Sequence, residues 1–212
     1  MLFHEDFVTR LPYLIAALIP ALTFHEWGHA YMAKRFGDDT PHQMGRLSLN
    51  PLSHLDPLGT MAILLIGFGW AKPVPINPSQ FRNSWGAFWV ALAGPFMNFS
   101  LAVIFAILLN IGAPAWFGVE NIGIFTKLFQ ISLVLNLALC FFNLIPIGPL
   151  DGNHMLARLL PLRASFAYTQ WNAVYGGMAL FGLIILDLVT RMNILGTVIA
   201  VPVYATANFL LR

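Results

Sequence analysis

Long apolar blocks, near the 20 residues a membrane helix needs, recur along this chain. The first runs from about Leu11 to Phe36 and stops at Lys34, Arg35 and Gly37, a basic last turn followed by a helix-ending glycine. Others cover about Trp85 to Ile111, Ile124 to Leu144, Val174 to Thr190 and Ile194 to Leu211. Pro146 and Pro149 break the third, and only Arg191, Met192 and Asn193 separate the last two, which predicts a tight antiparallel pair. A short interfacial helix is expected over Asn153 to Arg163. Between the first two blocks, Gly37 to Arg82 is rich in Pro, Gly and Asn, and its apolar pieces, such as Thr60 to Phe68, are too short to span as helices. Short strands or a re-entrant hairpin are expected there, packed beside a cavity that satisfies their backbone. The pattern describes an all-α polytopic membrane protein of about five transmembrane helices, with a small membrane-associated β element between the first and second.

Composition agrees. Of 212 residues, 58% are hydrophobic and 9% charged, against about 25% charged in a soluble domain. The formal net charge is +2 with no basic run, which excludes nucleic acid as the natural partner. A single cysteine, Cys140, excludes an internal disulfide and a cysteine-based zinc site. The polar N-terminus and the length of the first block do not fit a cleavable signal, so that block is expected to stay as an anchor. Lys and Arg placement sets the orientation. With the N-terminus outside, Lys34, Arg35, Arg46, Lys72, Arg82, Arg158, Arg163 and Arg212 lie inside, against Arg10, Lys127 and Arg191 outside.

Chemistry enters with His25-Glu26-Trp27-Gly28-His29, inside the first block. Histidines four residues apart share one helix face, so both imidazoles can reach one metal ion. Glu26, next to the first, is placed to take a proton from the attacking water of a zinc hydrolase. An ionisable residue in a membrane span is costly and usually functional. A catalytic zinc has three protein ligands and an open position. The third is expected from Asp151, the carboxylate in the proline-broken stretch after the third block, which this orientation puts on the same side as the histidines. A turn or capping role for Asp151 is the alternative. His54 can bind metal, orient a ligand or simply hold a loop. His42 and His154 read as surface or interfacial.

His25-Glu-x-x-His29 in a membrane span, followed by Asn143 and Pro149-Leu-Asp151-Gly152, resembles the site-2 protease family of intramembrane zinc metallopeptidases. Gly45-Arg-Leu-Ser-Leu-Asn-Pro51, His54-Leu-Asp-Pro57, Gly67-Phe-Gly-Trp-Ala-Lys-Pro-Val-Pro75 and Ala93-Gly-Pro-Phe-Met-Asn98 resemble further family segments, in the right order. The resemblance covers about residues 20 to 160 and is that of a minimal member without PDZ or CBS domains. It implies one membrane-embedded domain over 1–212, with a catalytic core over about 11–163 and a helical pair over about 170–211. It implies one zinc per chain held by His25, His29 and Asp151, and Glu26 as general base. Asn143 and Asn98 become donors to the oxyanion or the substrate backbone. Transmembrane helical proteins become the substrates, cleaved in or near their transmembrane segments by a site towards the cytoplasmic side of the cell membrane. Hairpin Gly67–Pro75 becomes a strand edge for the unwound substrate. Two rivals remain. A divalent-metal transporter needs ionisable residues along several spans, and a non-cleaving relative has no use for Glu26.

Overall fold

The computed structural model describes residues 5–66 and 70–212; among them the regular structure is all helical, joined by turns and irregular segments. Helix α1 spans Glu5–Phe36, α2 Thr40–Gln43, α3 Pro57–Ile66, α4 Gly86–Asn110, α5 Ile122–Asn143, α6 Asp151–Leu159, α7 Leu162–Trp171, α8 Gly177–Thr190 and α9 Ile194–Leu210. A π-helical turn, Asn172–Gly176, joins α7 to α8, so Leu162–Thr190 is one continuous rod. It begins twelve residues before the expected span. The short helix expected from Asn153, α6, begins two residues early, at Asp151 itself.

Three of the five expected spans have both the length and the apolar character to cross a membrane: Gly86–Asn110, Val119–Asn143 and Leu162–Thr190. Helix α9 is apolar but shorter, and α1 is long but interrupted by polar side chains. Small residues let the central helices approach. Ala102 and Ala106 of α4, Leu133 and Leu137 of α5, and Val203 and Ala207 of α9 form one buried cluster, the small-residue packing that lipid-embedded helices use. On α1, Ala21, Ala30 and Ala33 are fully buried.

The expected β element is corrected: no strand occurs among the described residues, and part of the proposed hairpin, 67–69, lies outside them. The segment holds three Asn-Pro or Asp-Pro pairs, each of which starts a helical turn instead of a strand. Asn50 accepts from Leu52 N–H ahead of the turn Pro51–Ser53, and Asn77 accepts from Ser79 N–H ahead of Pro78–Gln80. Asp56 accepts from Gly59 N–H at 2.8 Å where α3 begins. A capping acceptor followed by a proline at the first helical position favours helix, because that position needs no N–H. Residues 70–77 run without a ladder partner. Lys72 N–H donates to His54 O at 2.8 Å, and the Arg46 guanidinium donates to Lys72 O. Fully buried Asp38 accepts from Thr40 N–H at 2.9 Å and Asn77 N–H at 2.7 Å, tying the end of α1 to this segment.

Candidate metal centre

The site forms where α1 meets α4 and the start of α6. His25 and His29 stand one turn apart on α1, with Nε2 atoms 3.1 Å from each other. Asp151, the first residue of α6, brings Oδ2 to 3.3 Å from His25 Nε2 and 3.4 Å from His29 Nε2. All three side chains are wholly or largely buried.

Neighbouring groups fix which ring nitrogens carry protons. His25 Nδ1 lies 2.6 Å from Asn98 Oδ1, and His29 Nδ1 lies 2.7 Å from Val90 O. Both partners are oxygens that only accept, so each Nδ1 donates. In the neutral imidazoles each Nε2 then presents a lone pair. Asp151 Oδ2 is buried with no hydrogen-bond donor. With both imidazoles neutral, three electron-pair donors converge on one point, an arrangement that a cation at its centre would satisfy. Ligand atoms about 2.1 Å from a tetrahedral zinc stand roughly 3.4 Å apart, matching the observed separations. The donor set of two imidazoles and one carboxylate suits zinc, so the residues fit the ion.

Close approach of α4 makes this possible. A Cβ added to Gly94 would lie 2.3 Å from His29 Nε2 and 2.7 Å from His25 Cε1. Only glycine leaves room there for both rings and an ion. The start of α6 is held as well. Arg158, two turns beyond Asp151, donates to Ser84 O and Ser84 Oγ, each at 2.8 Å, and covers the Trp85 ring.

Glu26 is buried at 8% exposure between the two histidines in sequence. Arg46, 5% exposed, is a cation within its electrostatic reach. Burial pushes the Arg46 pKa down, and the Glu26 carboxylate opposes that shift.

Of the two expected asparagines, Asn98 lies at the site and its amide is fully engaged. Oδ1 accepts from His25, while Nδ2 donates to Ala21 O at 3.1 Å and Asn136 Oδ1 at 3.0 Å. Asn143 closes α5 and donates to Leu139 O at 2.9 Å, using one of its two N–H groups. His54 is outside the cluster. Its Nε2 donates to Ser48 O at 2.6 Å and the ring is fully buried, so it braces the loop. Sequence reading missed Val90, Asn136 and Arg158. A lone Asn in an apolar span was the available signal for Asn136. Val90 acts through its carbonyl, which leaves no trace in side-chain type.

A His-Glu-x-x-His helix and a carboxylate from a second helix, set among membrane-length helices, define the class: a membrane metalloprotease. The chain belongs to Peptidase family M50, the site-2 protease family, whose model matches residues 13–120 and 115–185. It is 43% identical over 169 residues to "Putative zinc metalloprotease YwhC" of Bacillus subtilis, covering 77% of this chain and 76% of that one. Rip2 of Mycolicibacterium smegmatis, which carries the same designation, is 32% identical over 66% of this chain and 54% of its own. "Zinc metalloprotease MJ0392" of Methanocaldococcus jannaschii is 26% identical over 92% of this chain, which spans about half of that protein's length (48%). No solved structure matches.

Proposed function

We propose that this protein is an intramembrane zinc metalloendopeptidase that hydrolyses peptide bonds in or near the transmembrane segments of other membrane proteins. The observation that carries this reading is the convergence of His25 Nε2, His29 Nε2 and Asp151 Oδ2 to within 3.1–3.4 Å of one another, among helices long and apolar enough to cross a bilayer. Membership of a metalloprotease family supports the hydrolytic class.

His25, His29 and Asp151 would hold one zinc per chain, leaving a position open for water and substrate. Bound there, zinc supplies Lewis acidity, polarising the scissile carbonyl and acidifying the attacking water. Glu26 takes the proton from that water and later passes it to the leaving amine. Asn98 and Val90 O lock both imidazoles with Nε2 towards the ion. Asn143 keeps one N–H that no group among the described residues engages, and it is the candidate donor to the developing oxyanion. The Lys and Arg distribution supports a centre towards the cytoplasmic side of the cell membrane. The partners are the lipid bilayer and transmembrane helical substrates. Among the described residues, the His, Asp and Glu groups able to hold a metal gather at this single point, whereas a transporter needs a succession of them across the membrane.

Metal analysis paired with cleavage of a reconstituted transmembrane substrate tests the proposal. Wild type and Glu26→Gln are both expected to hold near-stoichiometric zinc. Cleavage by the variant is expected to fall by about 10²–10⁴-fold, the usual contribution of a general base. Wild-type protein without zinc, or a Glu26→Gln variant that cleaves normally, would sink it.

A further inference from the structure

The segment that delivers Asp151 makes few hydrogen bonds of its own. Pro146 and Pro149 have no N–H to give. Inside the segment, Ile147 N–H donates to Ile145 O and Leu150 N–H to Ile147 O. Gly148 N–H is satisfied from another element, donating to Asn172 Oδ1 at 2.7 Å. Asn172 begins the π-helical turn between α7 and α8 and is 5% exposed, although Val174, Tyr175 and Met178 around it are each more than half exposed. An amide inside a membrane-length helix is costly unless its polar atoms are engaged, and those of Asn172 are. Its Nδ2 donates to Tyr168 O at 3.1 Å. One turn earlier, the Tyr168 hydroxyl donates to Pro146 O at 2.6 Å. One turn later, Gly176 lets the rod lie against the same segment, since a Cβ there would stand 3.0 Å from Gly148 O. The π-helical turn falls on this contact, and such turns are frequent at functional sites.

We infer that Asn172 is a positioning residue for the metal centre: it holds Gly148, and through it fixes where Asp151 Oδ2 stands relative to His25 and His29. The inference rests on the reading of Asp151 as a zinc ligand. Its chemistry is specific. A segment with two prolines between Asn143 and Asp151 has few N–H groups with which to pair its own backbone, and the bond to Asn172 ties its Gly148 N–H to another element. Arg158 holds α6 downstream of Asp151 and Asn172 holds the segment upstream, leaving the carboxylate bracketed between two anchors.

The test compares full-length wild type, Asn172→Leu and Asn172→Asp in the same bilayer, reading zinc affinity by chelator competition alongside kcat and KM. Asn172→Leu is expected to lose about 10- to 100-fold in zinc affinity, the range for groups that orient metal ligands, with kcat lowered and KM little changed. Asn172→Asp keeps the acceptor for Gly148 N–H and is expected to retain zinc within a few-fold of wild type. Equal zinc affinity in wild type and Asn172→Leu would overturn the inference. Should Asn172→Leu fail to fold, Asn172→Ala removes the same acceptor with a smaller side chain. A loss of zinc affinity in that variant supports the inference, and no loss overturns it. Wild type that binds zinc without cleaving would count against the protease reading alone, because the zinc comparison does not depend on turnover.

Discussion

Asn98 is the side chain through which α1, α4 and α5 are joined at the site. Its carbonyl oxygen accepts from His25 Nδ1, and its amide nitrogen reaches Ala21 O on α1 and Asn136 Oδ1 on α5. Asn136 in turn donates to Ser132 O at 2.8 Å, so the chain of bonds ends satisfied within α5. The sequence reading gave Asn98 a place at the oxyanion; the bonds it makes favour orienting His25. The two roles separate experimentally. Asn98→Leu is expected to lower zinc affinity by about 10- to 100-fold, because His25 loses the group that fixes its tautomer. Chelator competition reads this directly, whereas a donor to the oxyanion would lower kcat and leave zinc affinity unchanged.

At the scale of the element, short polar side chains at helix starts shape this chain repeatedly. Asn50, Asp56 and Asn77 each precede a proline and accept from a backbone N–H, and they turn a stretch that reads as strand into helical turns. Asp187 does comparable work between α8 and α9. Its two oxygens accept from Ile194 N–H at 2.6 Å and Leu195 N–H at 2.9 Å, across a turn in which Arg191 and Asn193 are left-handed. These N–H groups open α9 and have no partner within the helix. Asp187→Ala is therefore expected to cost about 1 kcal/mol, the typical worth of a capping side chain, measured by unfolding in detergent micelles. Asp187→Asn keeps an acceptor and is expected to cost less.

Across the whole molecule, the proposed zinc joins residues far apart in the chain, on α1 and α6. His25 and His29 belong to α1, while Asp151 follows the proline-broken end of α5 and is bracketed by contacts to Ser84 and Asn172. Removing the ion leaves three facing lone-pair donors, so the metal-free protein should be less stable. At free zinc about 100 times the dissociation constant, binding to the folded state alone stabilises by about 2.7 kcal/mol. Chelation is expected to lower the unfolding temperature of the reconstituted wild type and to abolish cleavage, with zinc restoring both. Asp151→Ala should show little response to added zinc, and an equal response in wild type and Asp151→Ala would contradict the ligand assignment.

What the sequence determined by itself rests on local periodicity and composition. Apolar blocks marked the membrane-length helices, because lipid demands about 20 apolar residues of any helix that crosses it. Four-residue spacing put His25 and His29 on one face, because 3.6 residues make a turn. Asp151 was legible as a carboxylate in the proline-broken stretch after the third apolar block. The Gly37–Arg82 segment was misread because capping acceptors and prolines outweighed its short apolar runs. Tertiary structure alone decided the rest. That Gly94 clears the space for both rings, that Val90 O and Asn98 turn both Nε2 atoms inward, and that Asn172 reaches Gly148 depend on helices packed at one depth and rotation. Backbone carbonyls and the absence of a Cβ act by where they stand, and position is a property of the packed helices rather than of any one of them.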